Sequence, residues 1–298
     1  MSTYSIKDLE RISSMKAHTI RIWEQRYGLL EPERTDTNIR LYNDDQLKKL
    51  LNVCTLLNRG MKISKISKLT KNQLAGEIER IIAEPVHGDE QVEAIINQAL
   101  IAVATYDVLL FESIFSNAVR TFGIHKIYEK ILYPLLVRTG LMWIKDDLLP
   151  SQEHFLSNLI RQKIFSAINH LPLPENPEQK WVLFLDEQED HEIGLLFAHY
   201  LIREHGYAVI YLGARVPYKD LMSVIAQCKP THIYSFMVST RAEERIERYF
   251  DQLKADFSEY AICISGGDEK SMEMAQRMGI ISINSIDSLI EILNNNAN

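Results

Sequence analysis

The sequence has 298 residues, of which 46% are hydrophobic, and a formal net charge of -7, enough for two or three domains with hydrophobic cores. It contains no apolar run of transmembrane length and no secretory N-terminus, so we expect a cytoplasmic protein without a membrane partner. The three cysteines, Cys54, Cys228 and Cys263, are too scattered for a disulfide framework or a zinc site.

Charge is distributed unevenly along the chain. Residues 1–75 hold 14 lysines and arginines against 8 aspartates and glutamates, a net charge of about +6. The remainder carries about −13, so a basic head precedes an acidic body. Because nucleic acid is an anionic polymer, this asymmetry indicates that the head is the part that would bind it.

The head, residues 1–75, has the pattern of a small helical domain. Ser5 followed by Asp8 approximates a capping box, which begins a short first helix. A turn at 13–15 then leads to a second helix at 16–27. The remaining predicted elements are a hairpin wing at 31–42 and helices at 44–59 and from about Ile63.

The outer face of the second helix carries hydrogen-bonding and cationic groups, namely His18, Thr19, Arg21, Gln25 and Arg26. The wing adds Arg34, Arg40 and Tyr42. Such groups suit base edges and phosphates in a DNA major groove, so the pattern predicts a helix-turn-helix. The alternative is an ordinary helical domain with a solvated basic face.

The whole run from Ile6 to Tyr42 resembles the winged helix-turn-helix of MerR-type regulators. The resemblance rests on Thr19-Ile20-Arg21, Trp23, the helix end Tyr27-Gly28-Leu29 and the wing at 34–42. It implies DNA contacts from Thr19, Arg21, Arg26, Arg34, Arg40 and Tyr42. MerR metal sensors continue into a long coiled-coil helix and a cysteine-bearing loop, which this sequence lacks, so we expect a different effector.

A linker is predicted at 84–89, followed by a four-helix bundle at 88–171. Its helical stretches, at 89–105, 106–122, 123–145 and 151–171, show few glycines and no strand-like alternation. Trp143 and the pair Glu153-His154 would converge at one end of the bundle, where a cap over a flat ligand would sit. Core packing is the alternative for Trp143, and the helix dipole equally explains Glu153.

A proline-rich linker at 171–178 precedes an α/β domain at 180–298. Strands are predicted near 181–186, 207–212, 231–236, 260–264 and 280–283, and they alternate with five helices. This alternation predicts a flavodoxin-like, Rossmann-type sheet of five parallel strands. The chain as a whole is therefore predicted to be a multidomain α and α/β protein.

The first of these strands is followed by Glu189-Asp190-His191-Glu192-Ile193-Gly194. Open α/β sheets keep their ligands at the carboxyl ends of the strands, which places His191 at a ligand-binding edge. Its imidazole can bind a metal above the sheet while Glu189 accepts the other ring N–H and fixes the tautomer. Gly194 permits close approach at the first turn of the next helix. The alternative is a hydrogen-bonded loop histidine.

Small residues near the ends of two later strands, Ser235-Phe236-Met237 and Ser265-Gly266-Gly267, leave a slot at the same edge. Here the chain resembles the cobalamin-binding domain family, whose pattern is an acidic residue, any residue, His, two residues and Gly, then a Ser-x-Leu-like triplet and Gly-Gly. Met237 stands where Leu is common. The resemblance implies His191 as the lower axial cobalt ligand, Glu189 as its partner, and Ser235, Gly266 and Gly267 as walls of the nucleotide cleft. Val216, after the second strand, is a further candidate for the cofactor edge.

The spacing of Trp143 and Glu153-His154 resembles the bundle signature of light-responsive cobalamin-dependent repressors of the CarH and CarA type. The resemblance implies a bundle that caps the upper face of the corrin, with Trp143 and Glu153 shaping a pocket for the adenosyl group of adenosylcobalamin. In that type a His follows the Trp and can bind cobalt after photolysis, but here the position is Ile144. A bis-histidine light adduct through that residue is therefore excluded.

These patterns predict a transcriptional regulator, a repressor and not an enzyme, that binds operator DNA as a homodimer or homotetramer. The resemblance to the light-responsive repressors further implies that light would cleave the cobalt–carbon bond, change the oligomeric state and release the DNA. One alternative is a cofactor-independent regulator switched by a protein partner. The other is a corrinoid methyl-transfer module, against which stand the DNA-binding head and the lack of a methyl-donor or methyl-acceptor domain.

Overall fold

The computed structural model describes residues 3–13, 15–35, 38–83, 89–144, 149–239 and 241–295. The chain divides into two compact units, residues 1–158 and 159–298. Among the helices in the described ranges, none combines the length and the apolar character that a membrane crossing requires.

The first unit begins with the predicted head. Its elements are β1 (Thr3–Tyr4), α1 (Ile6–Ser13), α2 (Ala17–Tyr27), β2 (Glu33–Arg34), β3 (Arg40–Asn43), α3 (Asp44–Asn58), α4 (Ile63–Ile66) and α5 (Lys71–Ala83). The backbone N–H of Ser5 donates to Asp8 Oδ2 at 2.5 Å, and that of Asp8 donates to Ser5 Oγ at 3.3 Å, which completes the capping box. The predicted last helix of the head is two helices, because Leu69 and Thr70 interrupt it.

The head is followed by the helices of the predicted bundle. These are α6 (Asp89–Thr105), α7 (Val108–Ile127), a π-helical turn (Tyr128–Leu132), α8 (Tyr133–Ile144) and α9 (Pro150–Asn169). The boundary predicted at Gly123 is instead a kink within α7, where this residue has a φ of 73°, a value that glycine adopts at little cost. The first turns of α9 lie in the first unit and the remaining turns in the second.

Helix α6 is buried almost all round. Its side chains from Ala94 to Ala104 lie in the core of the first unit. One face of α6 packs on α3 of the head and another on α7 of the bundle. Head and bundle therefore share one core, although the sequence predicted a linker between them at 84–89. Residues 84–88 of that linker lie outside the described residues.

The second unit confirms the predicted α/β architecture. Its strands are β4 (Asn176–Asp186), β5 (Tyr207–Val216), β6 (His232–Met237), β7 (Ala261–Gly266) and β8 (Ile281–Ile283). Its helices after α9 are α10 (Ile193–Glu204), α11 (Tyr218–Cys228), α12 (Glu243–Phe257), α13 (Glu269–Arg277) and α14 (Ile286–Asn295). All strand pairs are parallel, in the order β5-β4-β6-β7-β8, which is the flavodoxin-like order.

The central strand β4 positions the candidate site. Its residues Trp181–Leu185 are fully buried, as a continuous apolar run between two helical layers requires. Asn176–Glu178, predicted as the end of the proline-rich linker, already belong to β4. The carboxyl ends of β4, β6 and β7 lie side by side, so the segments that follow these strands share one edge.

Candidate functional site

The segment between β4 and α10 presents His191 at the edge of the sheet. The Nδ1–H of His191 donates to Glu189 Oε1 at 2.6 Å. In the neutral ring this bond places the remaining lone pair on Nε2, the tautomer that a metal ligand needs. The His191 side chain is 60% exposed, so its ring is accessible to a ligand at this edge.

Glu189 is anchored below the histidine and is 1% exposed. Its Oε2 accepts the backbone N–H groups of Val238 at 3.1 Å and Ser239 at 2.8 Å, just beyond β6. Its Oε1 accepts the Ser239 hydroxyl at 3.0 Å and the backbone N–H of His191 at 3.2 Å. Burial alone would raise the pKa of Glu189, but the hydrogen bonds from His191, Ser239 and Val238 hold this pKa well below its usual range.

Arginines from four different segments pair with the segment that carries His191. Arg241 pairs with Asp186 at 3.1 Å, Arg245 donates to Gln188, Arg215 pairs with Asp190, and Arg161 Nε lies 2.9 Å from Glu192 Oε1. The four partners of these arginines occupy every second position of the segment, from residue 186 to residue 192. Sequence analysis missed these arginines and Ser239, because pairing across such separations has no local signal. The position of Ser239 just after β6 was the available clue.

The glycines of the predicted slot occupy crowded backbone positions. A Cβ on Gly194 would lie 2.5 Å from the Phe236 ring, and a Cβ on Gly266 would overlap the Met237 carbonyl oxygen. Gly266 and Gly267 both have positive φ, 72° and 78°, which only glycine adopts readily. A side chain at Gly266 would therefore displace the end of β6, whereas one at Gly267 would strain the backbone through its positive φ.

The other residues predicted at the cofactor edge are buried or partly buried. Ser235 is 2% exposed and Met237 is in the core, its carbonyl accepting the Gly267 N–H at 2.7 Å. Val216, at the end of β5 beside Asp186, packs against the core of the α/β domain. These three residues set the backbone shape of the edge.

The predicted upper-face residues are described only in part. Trp143 lies in α8, but its side chain lies outside what the structure describes. Glu153 lies in the first turn of α9 and its Oε2 is 2.8 Å from His154 Nδ1. The His154 side chain is exposed.

The residues predicted to bind DNA fall into two groups. Arg21, Arg26 and Arg34 are exposed and Thr19 is half-buried on α2, so these side chains can meet DNA directly. Tyr42 is 1% exposed and its hydroxyl donates to Glu24 Oε1, while Arg40 Nε donates to Glu24 Oε2 at 3.0 Å. The prediction that Tyr42 touches DNA is therefore corrected, because its burial leaves it to hold the wing against α2.

A buried histidine beside the site predicts pH-dependent stability. His199 of α10 stacks on Tyr211 at 5.1 Å, and burial with the nearby Arg203 lowers its pKa from 6.5 to about 4. Between these values the unfolded chain binds more protons, so stability falls as the pH falls from 6.5 towards 4. Urea midpoints at pH 7 and pH 5 should differ less in His199→Phe than in wild type.

The control for this prediction is His170→Phe, at an exposed position after α9. We expect it to keep the full difference between the two midpoints. Burial also lowers the pKa of His232 to about 4, so part of the difference between the two urea midpoints will remain in His199→Phe. An unchanged difference in His199→Phe would exclude His199 as its source.

Among the described residues, no cluster of three or more His, Cys, Asp and Glu side chains has the arrangement of a metal site. The donor set at the sheet edge is the single oriented imidazole of His191. This set fits a metal that is already held within a planar macrocycle.

The fold joins a helix-turn-helix to a flavodoxin-like sheet with an oriented histidine at its edge, and comparisons with known proteins indicate a DNA-binding regulator with a B12 binding domain. The family described as MerR HTH family regulatory protein matches residues 4–73, and the B12 binding domain matches residues 89–166. The chain is homologous to the HTH-type transcriptional repressors CarH and CarA of Myxococcus xanthus.

These relatives are similar over most of their length. CarH is 28% identical over 254 residues, which cover 85% of this chain and 84% of CarH. CarA is 23% identical over 296 residues, which cover 98% of this chain and 96% of CarA. A solved structure, the monomethylamine corrinoid protein of Methanosarcina barkeri, has a TM-score of 0.52 at 14% identity, covering 72% of this chain and 98% of that one. That likeness shows the fold alone.

Proposed function

We propose that this chain is a transcriptional repressor whose binding to double-stranded DNA is controlled by cobalamin. The observation that carries the proposal is the His191–Glu189 pair, at 2.6 Å, at the sheet edge of a chain whose other end is a helix-turn-helix. The match to a B12 binding domain and the homology to two repressors support the same function.

Within this proposal, His191 would hold the cobalt through Nε2, and Glu189 would fix the tautomer of the imidazole. We assign Ser235, Gly266 and Gly267 to the walls of the cleft for the nucleotide tail, with Gly194, Met237 and Val216 beside them at the cofactor edge. By the resemblance of their spacing to the CarH and CarA type, we assign Trp143, Glu153 and His154 to the pocket of the upper ligand. Adenosylcobalamin is the form we propose, and it would supply a light-sensitive cobalt–carbon bond.

DNA control follows from linkage. A ligand that binds an assembled form more tightly stabilises that form by the difference between its two affinities. One winged head makes few phosphate contacts. Two or four tethered heads bind DNA with higher affinity, because each bound head raises the effective concentration of the next. We therefore propose a homo-oligomer that holds its operator in the dark and releases it after illumination. No catalytic step is assigned to the chain.

The test is to mix purified protein with adenosylcobalamin in the dark and to record its absorption spectrum and its size-exclusion mass. Both are recorded again after green light. A His-ligated spectrum with a larger dark assembly that dissociates in light would support the whole proposal. Binding without a change in mass would remove the light switch, and absence of binding would favour a regulator switched by a protein partner.

The DNA-binding face predicts the effect of a single substitution. Arg26→Ala removes an exposed guanidinium from α2, so the plot of log affinity against log salt for duplex DNA should flatten by about 1. Arg120→Ala, on an exposed face of α7, is the matched control and should keep the wild-type slope. Equal slopes for the two variants would exclude Arg26 from the DNA interface.

A further inference from the structure

A half-buried arginine of the bundle contacts the helix-turn-helix. Arg138 of α8 is 20% exposed, and its Nη2 donates to the backbone carbonyl of Ile12 in the last turn of α1. Its Nη1 pairs with Glu93 Oε2 of α6 at 3.5 Å. Arg138 therefore joins three helices, two of them from the bundle and one from the DNA-binding head.

This contact has a clear physical basis. The last carbonyls of a helix have no partner within the helix, and a cation is favoured there by the helix dipole. Ile12 is buried, so the bond from Arg138 satisfies an acceptor that water reaches poorly. Burial lowers the pKa of Arg138 while Glu93 opposes this shift, and a guanidinium stays charged in such a setting.

Other buried polar pairs fix the same docking between head and bundle. Gln98 Nε2 of α6 donates to Asn52 Oδ1 of α3 at 2.8 Å, and Asn97 Nδ2 donates to Thr55 Oγ1 at 3.5 Å. All four of these side chains are buried. Because buried polar groups are costly when unpaired, they favour a single docked orientation of the head.

The contact lies next to the turn that carries the recognition helix. Ser13 Oγ donates to the Leu9 carbonyl at 2.6 Å, and the Met15 N–H donates to Ser13 Oγ at 3.2 Å. This turn leads directly into α2, on which Arg21 and Arg26 are exposed. Arg138 thus contacts the helix-turn-helix at the end of α1, and the exposed arginines of α2 stay accessible to DNA.

We propose that Arg138 is a positioning residue through which the bundle sets the orientation of the recognition helix. Helix α8 also contains Trp143, five residues after Arg138. The inference rests on the proposed function for one step, namely that cofactor binding at Trp143 acts on α8. Through Arg138, a change in α8 then reaches the end of α1 and the turn before α2.

The positioning role can be tested on the cofactor-free full-length protein by amide hydrogen exchange. Arg138→Gln removes the charge, so exchange at residues 9–13 and 15–20 should rise about tenfold, as expected for the loss of one charge-assisted hydrogen bond. Arg138→Lys, which keeps a cationic donor, should restore most of the protection. Arg120→Gln in α7 is the control and should leave this segment unchanged. Unchanged exchange in Arg138→Gln would overturn the proposal.

A second variant covers the case in which Arg138→Gln does not fold. Glu93→Gln, at an exposed position, removes the ion pair that orients Arg138 and should raise the same exchange about threefold. Wild-type exchange in Glu93→Gln, with Arg138→Gln unfolded, would overturn the positioning role and leave Arg138 with a purely structural one.

The link to the cofactor is tested by adding adenosylcobalamin in the dark to wild type and to Arg138→Gln. Absorption spectra report binding independently of exchange. We expect both to bind, with exchange at 9–20 changing only in wild type. Equal changes in both proteins, or none in wild type, would overturn the coupling. Absence of any spectral change in wild type would refute the proposed function, and the cofactor-free exchange would still decide the role of Arg138.

Discussion

Replacing His191 with alanine is expected to abolish the His-ligated form of bound cobalamin and to weaken binding by more than about tenfold. The structure holds the imidazole with Nδ1–H on Glu189 at 2.6 Å, which leaves the lone pair of Nε2 for cobalt. Alanine removes the ligand and keeps the slot, so residual binding would come from the cleft alone. A base-off spectrum without an axial nitrogen is the expected signature.

The measurement is a dark titration with adenosylcobalamin, followed by absorption. His170→Ala is the matched control, because this exposed histidine follows α9 and its Nδ1 is 2.6 Å from the Ser166 carbonyl. The His191 side chain is 60% exposed, so thermal unfolding of the variant should match wild type. A His191→Ala spectrum identical to that of wild type would remove the central claim about this site.

The fold was accessible from the sequence because its signals are local. The continuous apolar run Trp181–Leu185 predicted a strand buried on both faces, and β4 is such a strand. The alternation of strands and helices predicted the five-stranded parallel sheet that the structure confirms. The linker predicted at 84–89 did not separate head from bundle, because the packing of α3 on α6 depends on tertiary contacts that no local pattern records.

The candidate site was only partly accessible for the same reason. Glu189 and His191 are two residues apart, so their pairing could be proposed from spacing alone. Ser239 is 50 residues from Glu189 and pairs with it only because β4 and β6 are neighbours. Tyr42 illustrates the opposite error, since an aromatic residue in a basic wing reads as a DNA contact until its burial against Glu24 is known.

The second large effect is expected for Glu189→Gln. The carboxylate accepts hydrogen bonds from the backbone N–H groups of Asp190, His191, Val238 and Ser239 and from two side chains. A glutamine retains one acceptor oxygen, and its NH2 group would face donors with which it cannot pair. Because the site is buried, the variant should lose about 3 kcal/mol of stability.

Guanidinium-induced unfolding at pH 7, followed by tryptophan fluorescence, measures this loss, since Trp181 is fully buried in β4. Asp190→Asn is the matched control, because its carboxylate is exposed and pairs with Arg215 at the surface. We expect Asp190→Asn to unfold close to wild type and Glu189→Gln to unfold at clearly lower denaturant. Coincident curves for all three proteins would mean that the buried carboxylate contributes little, and the histidine would then need another source of orientation. A destabilised Glu189→Gln that still gives a His-ligated spectrum would separate the structural role of Glu189 from its role in orienting His191.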